Sequence, residues 1–251
     1  MMERMSLLGY AVCGIGLESD ALPFDVGGID RDAMPAGLRR RASEATQLAF
    51  SAAARACREA ARSPAALPSV FASVGGEMQV TDQLCIELAK PEGLVSPTAF
   101  HNSVHNTAAG YWTIVHGCPE PATALAAGHD TFALGLLEAW CQLSCNGGEL
   151  LVVCYDERWP GYLAPPLGRV AVASAMVLAA GDVPEALAHL GKPCPIGASG
   201  NRAEFSNLLE TAPAAWALPL LQSAALGEAG PVALSGNGWV GDLLLATSAA
   251  A

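Results

Sequence analysis

A short strand that turns directly into a helix most constrains how this chain folds. The small apolar stretch Thr123–Ala127 is followed by Gly128, and a helical pattern begins at His129. We predict a buried strand whose turn delivers one residue to a helix N-terminus, where free N–H groups stabilise an anion and activate a cysteine or serine. The residue delivered here is Ala127, which has no nucleophilic atom. The neighbouring Ala126 and Gly128 are equally inert, so a one-residue shift supplies no nucleophile.

The segments around this elbow alternate between strand and helix patterns, which is typical of a layered α/β fold. Ser43 is a suitable N-cap for the first long helix, and Asn146-Gly147-Gly148 is a suitable end for the elbow helix. Residues 96–102 are expected to form an irregular loop. The predicted strands span 6–14, 69–74, 123–127, 150–155, 170–178, 232–234 and 243–246, and the predicted helices span 44–62, 79–90, 103–115, 129–145 and 214–225.

The composition limits the partners that the chain can have. Apolar residues make up 52% of the chain and charged residues only 15%, which predicts that part of the surface is buried against another protein. Because 13 basic residues stand against 24 acidic ones, we expect neither nucleic acid nor an anionic membrane as a partner. Arg39-Arg40-Arg41 is the one basic cluster, and we expect it to be a solvated stretch before a helix.

The sequence also predicts a cytoplasmic protein. It shows no signal-peptide pattern and no run close to the roughly 18–20 apolar residues that span a bilayer. The eight cysteines are therefore expected to be reduced, and Cys13, Cys57, Cys141 and Cys154 are expected on apolar faces. Because no CxxC pair occurs, we predict neither a zinc site nor any other metal or cofactor.

The residues before the elbow carry a resemblance to a known family. The stretch Ser96–Trp112, SPTAFHNSVHNTAAGYW, resembles the loop and helix of the β-ketoacyl synthase family. It is most similar to the synthase-like N-terminal-domain proteins called chain length factors, found in aryl polyene and related type II polyketide pathways. The elbow follows at the family's spacing, and residues 150–157 and 170–178 resemble the next two core strands. The resemblance covers roughly residues 5–180.

The resemblance implies a thiolase-like layered α/β fold, truncated to the N-terminal half plus a short C-terminal extension. We interpret residues 1–251 as a single β-ketoacyl synthase-like domain with its core at 5–180. Residues 181–251, rich in Pro, Ala and Gly, are expected to form an extension that completes the sheet.

The resemblance also implies a pseudoenzyme. Active members of the family carry a cysteine where this chain has Ala127, and they recruit two histidines from a second half of the fold. Beyond the elbow turn, this chain offers only His189. It is therefore expected to be a chain length factor that forms a heterodimer with a catalytic β-ketoacyl synthase. It would shape the partner's acyl tunnel during aryl polyene, polyketide or fatty-acid-like chain elongation.

The tunnel and interface residues implied by the resemblance lie in residues 100–112. Bulky side chains there could set the tunnel floor, and small ones would let the helix approach a neighbouring backbone. The alternative that Val104, Trp112 and Val115 are ordinary core residues at helical spacing stays open. Acyl carrier protein is expected to reach the chain only through the complex, because such carriers are acidic like this chain. The residues are Phe100, His101, Val104, Tyr111 and Trp112, with Ala108 and Ala109 as the small ones.

Two other functions stay open at this stage. A degenerate synthase-like protein could bind or decarboxylate acyl groups alone, with His129 as a polar donor. A structural homodimer or carrier-docking module would need no tunnel. His101 and His105 are four residues apart, but no third metal ligand follows at a suitable spacing. Asp156-Glu157-Arg158 is expected to be a solvated turn or a local ion pair.

Overall fold

The computed structural model describes residues 2–17, 22–163, 170–195 and 206–245, and it confirms the predicted α/β architecture. The strands are β1 (Met5–Ile15), β2 (Val26–Gly27), β3 (Ser69–Ala72), β4 (Ala122–Leu125), β5 (Glu149–Asp156), β6 (Ala171–Ala180), β7 (Ala188–Leu190), β8 (Gly230–Ala233) and β9 (Val240–Leu245). The helices are α1 (Ala36–Arg39), α2 (Glu44–Glu59), α3 (Met78–Leu88), α4 (Pro97–Asn102), α5 (Thr107–His116), α6 (Thr131–Asn146), α7 (Ser206–Thr211) and α8 (Ala217–Leu226).

The strands of the described residues form one mixed sheet in the order β4-β3-β5-β6-β1-β7-β9-β8, with β2 beside β1. β4, β3 and β5 run parallel, and β5, β6, β1, β7, β9 and β8 pair antiparallel along that order. Ala72 stands opposite both Leu125 and Cys154. The carboxyl ends of these three parallel strands therefore meet at one edge of the sheet, where the elbow also lies.

Helices cover both faces of this sheet. α2 and α5 pack on one face, and α6 packs on the other together with a 3₁₀ turn at Pro213–Trp216 and α8. β5 supplies both cores, because Val152 points into the α6 core and Val153 into the α2 core. Burial on both faces explains why this strand is a near-continuous apolar run.

Local signals correctly predicted the start of α2 and the end of α6. The predicted N-cap is confirmed, since the Ser43 hydroxyl accepts a hydrogen bond from the Thr46 N–H at 3.0 Å. The predicted end of α6 is also confirmed, with Gly147 at a φ of 67°. The irregular loop predicted at 96–102 is wrong. That segment holds α4, whose Ser96 side chain caps the Ala99 N–H while Pro97 occupies the first turn.

The thiols differ in their surroundings. Cys13, Cys57 and Cys154 are buried as predicted, whereas Cys141 is exposed, so its predicted place on an apolar face is wrong. Burial raises the pKa of Cys13 to about 11 and that of Cys57 to about 12. These two thiols are inert at neutral pH. In the described part of the chain, no helix is both long and apolar enough to cross a membrane.

Candidate functional site

The predicted elbow is present between β4 and α6. The strand ends at Leu125, and a 3₁₀ turn at Gly128–Asp130 leads into α6 at Thr131. Gly128 has a φ of 56°, a left-handed conformation that glycine adopts without steric cost. Ala127 lies at the N-terminal side of this turn, with φ −145° and ψ 32°. The fold therefore presents an alanine at the place where the elbow would present a nucleophile.

The backbone amide at the elbow is also occupied. The Ala127 N–H donates to the hydroxyl Oγ1 of Thr131 at 3.0 Å, and that hydroxyl donates to the Gly128 carbonyl at 2.7 Å. Thr131 is completely buried, which fixes the arrangement. Because this N–H is engaged within the turn, it is not free to stabilise an oxyanion bound at the elbow.

β4 itself is the edge strand of the sheet. It pairs only with β3 among the described strands, and all four of its residues are exposed or half-buried. The predicted burial of this strand is therefore wrong. Small apolar residues indicated a strand with neighbours on both sides, but composition cannot distinguish such a strand from an edge that another chain covers.

The first group of predicted site residues lies on the surface. Phe100 is 65% exposed on α4, and Val104 is 49% exposed in the turn that follows. His101 is also exposed, and its ring lies 6.1 Å from the ring of Tyr111. Phe100, His101 and Val104 therefore lie on one short exposed segment that comprises α4 and the turn after it.

The second group lies mostly inside the chain. Trp112 has no exposed surface, and its ring lies 5.2 Å from that of Phe50 on α2. Ala108 and Ala109 are buried in the same core. Tyr111 is half-buried, and its hydroxyl lies 2.5 Å from the Asn102 Oδ1 that accepts its hydrogen bond. Trp112, Ala108 and Ala109 therefore pack α5 against the sheet and against α2.

Four other large apolar side chains are exposed within residues 86–114. Ile86 and Leu88 lie at the end of α3, Leu94 in the loop before α4 and Ile114 on α5. Leu94 is 88% exposed and Ile114 74% exposed. We call Ile86, Leu88, Leu94, Phe100, Val104 and Ile114 the apolar surface. Exposed apolar side chains that recur along one segment are a feature of protein–protein contact surfaces, and α5, which carries Ile114, also contacts the edge strand β4.

A buried carboxylate cluster lies at the edge of the sheet where β3 and β5 end. Asp156 is 4% exposed, Glu157 2% and Glu77 1%, so the solvated turn predicted at Asp156–Glu157 is wrong. The local ion pair is also wrong, because Arg158 pairs with the distant Glu44 at the start of α2, with its Nη2 2.5 Å from Glu44 Oε2. Sequence reasoning missed this cluster because its members come together only through the packing of separate elements.

Each carboxylate ties several elements together. Asp156 accepts hydrogen bonds from the Val74 N–H and the Ala214 N–H, each at 2.9 Å, and from the Ser73 hydroxyl at 3.1 Å. The cluster therefore joins the exit of β3 to the 3₁₀ turn at Pro213–Trp216, on the opposite face of the sheet from α2.

The two glutamates hold the starts of α2 and α3. Glu77 accepts from the Thr46 hydroxyl in the first turn of α2 at 2.5 Å, and Glu157 accepts from the Gln79 N–H in the first turn of α3 at 2.6 Å. Helix N-termini stabilise negative charge. The arrangement accounts for the glutamates as anchors of helix ends.

Burial raises the pKa of these carboxylates by more than their hydrogen bonds lower it. It raises the pKa of Asp156 to about 6 and that of Glu157 to about 7, and nearby Glu77 and Glu44 raise the Glu157 pKa further. Burial likewise raises the pKa of Glu77, although the Ser43 and Thr46 side chains lower it. Glu157 therefore takes up a proton close to neutral pH.

Glu157 also lines a cleft of about 640 Å³ between α2, α3 and α4. The elbow residues do not line this cleft, so it cannot serve as an acyl pocket for chemistry at Ala127. The lining residues are Ser43, Glu44, Gln79, Val80, Gln83, Ala99, Glu157, Arg158 and Trp159.

The histidines make separate contacts. His105 Nε2 lies 2.8 Å from the Ser73 carbonyl oxygen, and His189 Nδ1 lies 3.0 Å from the Ser6 hydroxyl. His129 is exposed beside the elbow. Over the described ranges, no three His, Cys, Asp or Glu side chains are grouped so that they could hold a metal ion.

Comparisons with known proteins agree with this architecture. A family model described as Beta-ketoacyl synthase, N-terminal domain, matches residues 18–218. A comparison with curated proteins finds no match.

Solved structures share the fold. The structure of the ketosynthase ApeO in complex with its chain length factor ApeC, from Xenorhabdus doucetiae, matches at 21% identity and a TM-score of 0.72, over 96% of this chain and 99% of that chain. The ishigamide ketosynthase/chain length factor matches at 16% identity and a TM-score of 0.64, over 97% of this chain and 99% of that chain. A third match is the structure of a type II polyketide synthase acyl-carrier protein in complex with its ketosynthase bound to the hexaketide. It matches at 12% identity and a TM-score of 0.57, over 76% of this chain and 68% of that chain.

Proposed function

The chain belongs to the β-ketoacyl synthase N-terminal domain family, and from this membership we propose that it is a non-catalytic chain length factor. It forms a heterodimer with a catalytic β-ketoacyl synthase, shapes the acyl tunnel and limits the number of elongation steps. Acyl carrier protein delivers substrates to the complex. The observation that carries the proposal is Ala127 at the elbow.

The elbow supports a partner that contributes shape and no covalent chemistry. Decarboxylative condensation in this family begins with transfer of an acyl group to a nucleophile at the elbow, and Ala127 has none. The Ala127 N–H is bonded to Thr131, and the one histidine beside the elbow, His129, is exposed. The acyl group must therefore be held by the nucleophile of another chain.

The edge of the sheet supports pairing with another chain. β4 leaves one row of backbone N–H and C=O groups unpaired within the described residues. The apolar surface lies on α3, α4 and α5 and on the loops that join them. Burying both against a partner removes an aggregation hazard and gains apolar contact area. Two of the similar solved structures contain a ketosynthase with a chain length factor, and we extend that pairing to this chain.

Phe100 is the residue best placed to meet a growing acyl chain. It is exposed in the single chain, so a partner that covers α4 would enclose it at the interface. An enclosed aromatic side chain blocks an acyl chain, because displacing it would break close packing on several sides. Trp112 lies behind this segment in the core and holds α5 in place.

Replacing Phe100 with alanine is expected to lengthen the product of the assembled synthase by at least one elongation step. The smaller side chain opens space at the end of the tunnel, while the nucleophile of the partner is untouched. Product length is measured by mass spectrometry of the acyl chains released from the purified complex.

Leu226→Ala is the matched control. Leu226 is 53% exposed at the end of α8, outside the apolar surface, and its replacement is expected to leave product length unchanged. An intact complex in which Phe100→Ala gives the wild-type product would contradict the tunnel role of Phe100.

A further inference from the structure

The helix that carries Phe100 is anchored by a polar side chain. The structure describes every residue of α4, and Asn102 is the buried one among them. Asn102 is 3% exposed, whereas Phe100 is 65% exposed. A surface helix normally packs an apolar stripe on the core. α4 also contacts α3, but its buried anchor is an amide.

The Asn102 side chain joins α4 to two other parts of the chain. Its Nδ2 donates to the Arg41 carbonyl, in the segment before α2, at 2.8 Å. Its Oδ1 accepts from the Tyr111 hydroxyl of α5, 2.5 Å away. Because a carbonyl oxygen can only accept, the amide nitrogen must face Arg41, and this fixes the orientation of the whole amide.

The backbone around Asn102 is held as well. The Thr107 hydroxyl, at the start of α5, lies 3.0 Å from the Asn102 carbonyl oxygen, and Thr107 is 7% exposed. At the other end of α4, Pro97 and Thr98 are exposed. The helix is therefore fixed mainly at its C-terminal end, two residues from Phe100. At 1.5 Å per residue, this anchor lies about 3 Å from Phe100 along the helix axis.

We propose that Asn102 is a positioning residue that sets where the Phe100 ring lies and thereby the length of the product. The inference rests on the proposed function and adds a residue that does not touch the acyl chain. Hydrogen bonds are directional, whereas the hydrophobic effect is not. Two hydrogen bonds from one buried amide therefore define the position of α4 more sharply than apolar packing alone. A displacement of about 1 Å at a supporting residue is enough to loosen a functional site.

The test uses the purified complex of this chain with a catalytic β-ketoacyl synthase. Asn102→Asp keeps the shape of the side chain and an acceptor for Tyr111, but the ionised carboxylate has no N–H for the Arg41 carbonyl. Loss of a buried hydrogen bond shifts an equilibrium about tenfold. The ratio of longer product to wild-type product should therefore rise about tenfold. Mass spectrometry of the released acyl chains measures this ratio.

The double variant Phe100→Ala/Asn102→Asp separates positioning from general loosening. If Asn102 acts through Phe100, removal of the ring leaves Asn102 nothing to position. The double variant should then give the product ratio of Phe100→Ala within about twofold. Further lengthening by Asn102→Asp in the Phe100→Ala background would overturn the inference. A wild-type ratio from an assembled Asn102→Asp complex would overturn it too.

Two more variants complete the test. Tyr111→Phe keeps the ring and the bond from Asn102 to Arg41, and it should raise the ratio in the same direction but by less than Asn102→Asp. If Asn102→Asp fails to assemble, an assembled Tyr111→Phe complex with the wild-type ratio would contradict the inference. Asn237→Asp is the matched control, because it makes the same chemical change at an exposed residue between β8 and β9. It should leave the ratio within about twofold of wild type.

Failure of the proposed function gives a different result. In that case the wild-type chains do not assemble by native mass, or Phe100→Ala gives the wild-type product while Asn102 is intact. Failure of the inference alone leaves both assembly and the effect of Phe100→Ala unchanged and removes only the effect of Asn102→Asp.

Discussion

Replacing Asp156 with alanine is expected to lower the free energy of unfolding at pH 7 by about 3 kcal/mol. The Val74 and Ala214 N–H groups each donate a hydrogen bond to Asp156 at 2.9 Å. The substitution leaves both N–H groups without an acceptor. An unsatisfied buried donor costs about 1–3 kcal/mol. Relief of the buried charge, whose pKa is raised to about 6, offsets part of this loss. Denaturant unfolding followed by tryptophan fluorescence measures the change.

Two further variants keep this prediction testable if the alanine variant does not fold. Asp156→Asn retains one acceptor oxygen and is expected to cost about 1 kcal/mol. Glu228→Ala removes an exposed carboxylate after α8 and should change stability by less than about 0.5 kcal/mol. Equal stability of the Asp156→Ala and Glu228→Ala variants would show that Asp156 does not join β3 to the Ala214 segment.

The stability of the protein is expected to fall as the pH rises through 7 because of Glu157. Burial raises the pKa of Glu157 from 4.5 to about 7, so the folded state binds its proton more tightly than the unfolded state does. The stabilisation from this proton is complete below pH 4.5 and disappears as the pH rises through about 7. As the pH rises from 5 to 8, deprotonation of Glu157 should therefore lower the free energy of unfolding by about 2 kcal/mol.

Glu157→Gln isolates this effect. Glutamine keeps an oxygen that can accept from the Gln79 N–H but carries no charge at any pH. Between pH 5 and pH 8, the free energy of unfolding of the variant should fall by about 2 kcal/mol less than that of wild type. Glu228→Gln should show the same dependence of stability on pH as wild type. Parallel curves for wild type and Glu157→Gln would mean that Glu157 is not buried in solution.

The elements that sequence reasoning placed well are those with local signals. Ser43 satisfies the N–H of Thr46 three residues on, and Gly147 adopts a positive φ at the end of α6, so short-range chemistry sets both helix ends. The turn at Gly128 follows from the same kind of signal. The helix at 97–102 was missed even though Ser96-Pro97 is a helix-start pattern.

The parts that could not be predicted depend on contacts between distant segments. Carboxylates after a strand are exposed by default, and Asp156 and Glu157 are buried because the starts of α2 and α3 and the Ala214 turn converge on them. The apolar composition of β4 cannot show whether this chain or a partner covers the strand. Trp112 and Phe100 share one sequence segment, yet packing on α2 buries the first and leaves the second exposed.

The most direct test of the central claim is coexpression of this chain with a catalytic β-ketoacyl synthase from the same organism. Native mass and condensation activity of the co-purified protein are then measured. We expect a one-to-one heterodimer that elongates acyl chains, whereas neither chain alone does so. The heterodimer should lose all condensation activity when the cysteine at the elbow of the synthase is replaced by alanine. A chain that remains a monomer or homodimer in the presence of the synthase would contradict the account. Acyl-carrier decarboxylation by the isolated chain would contradict it as well.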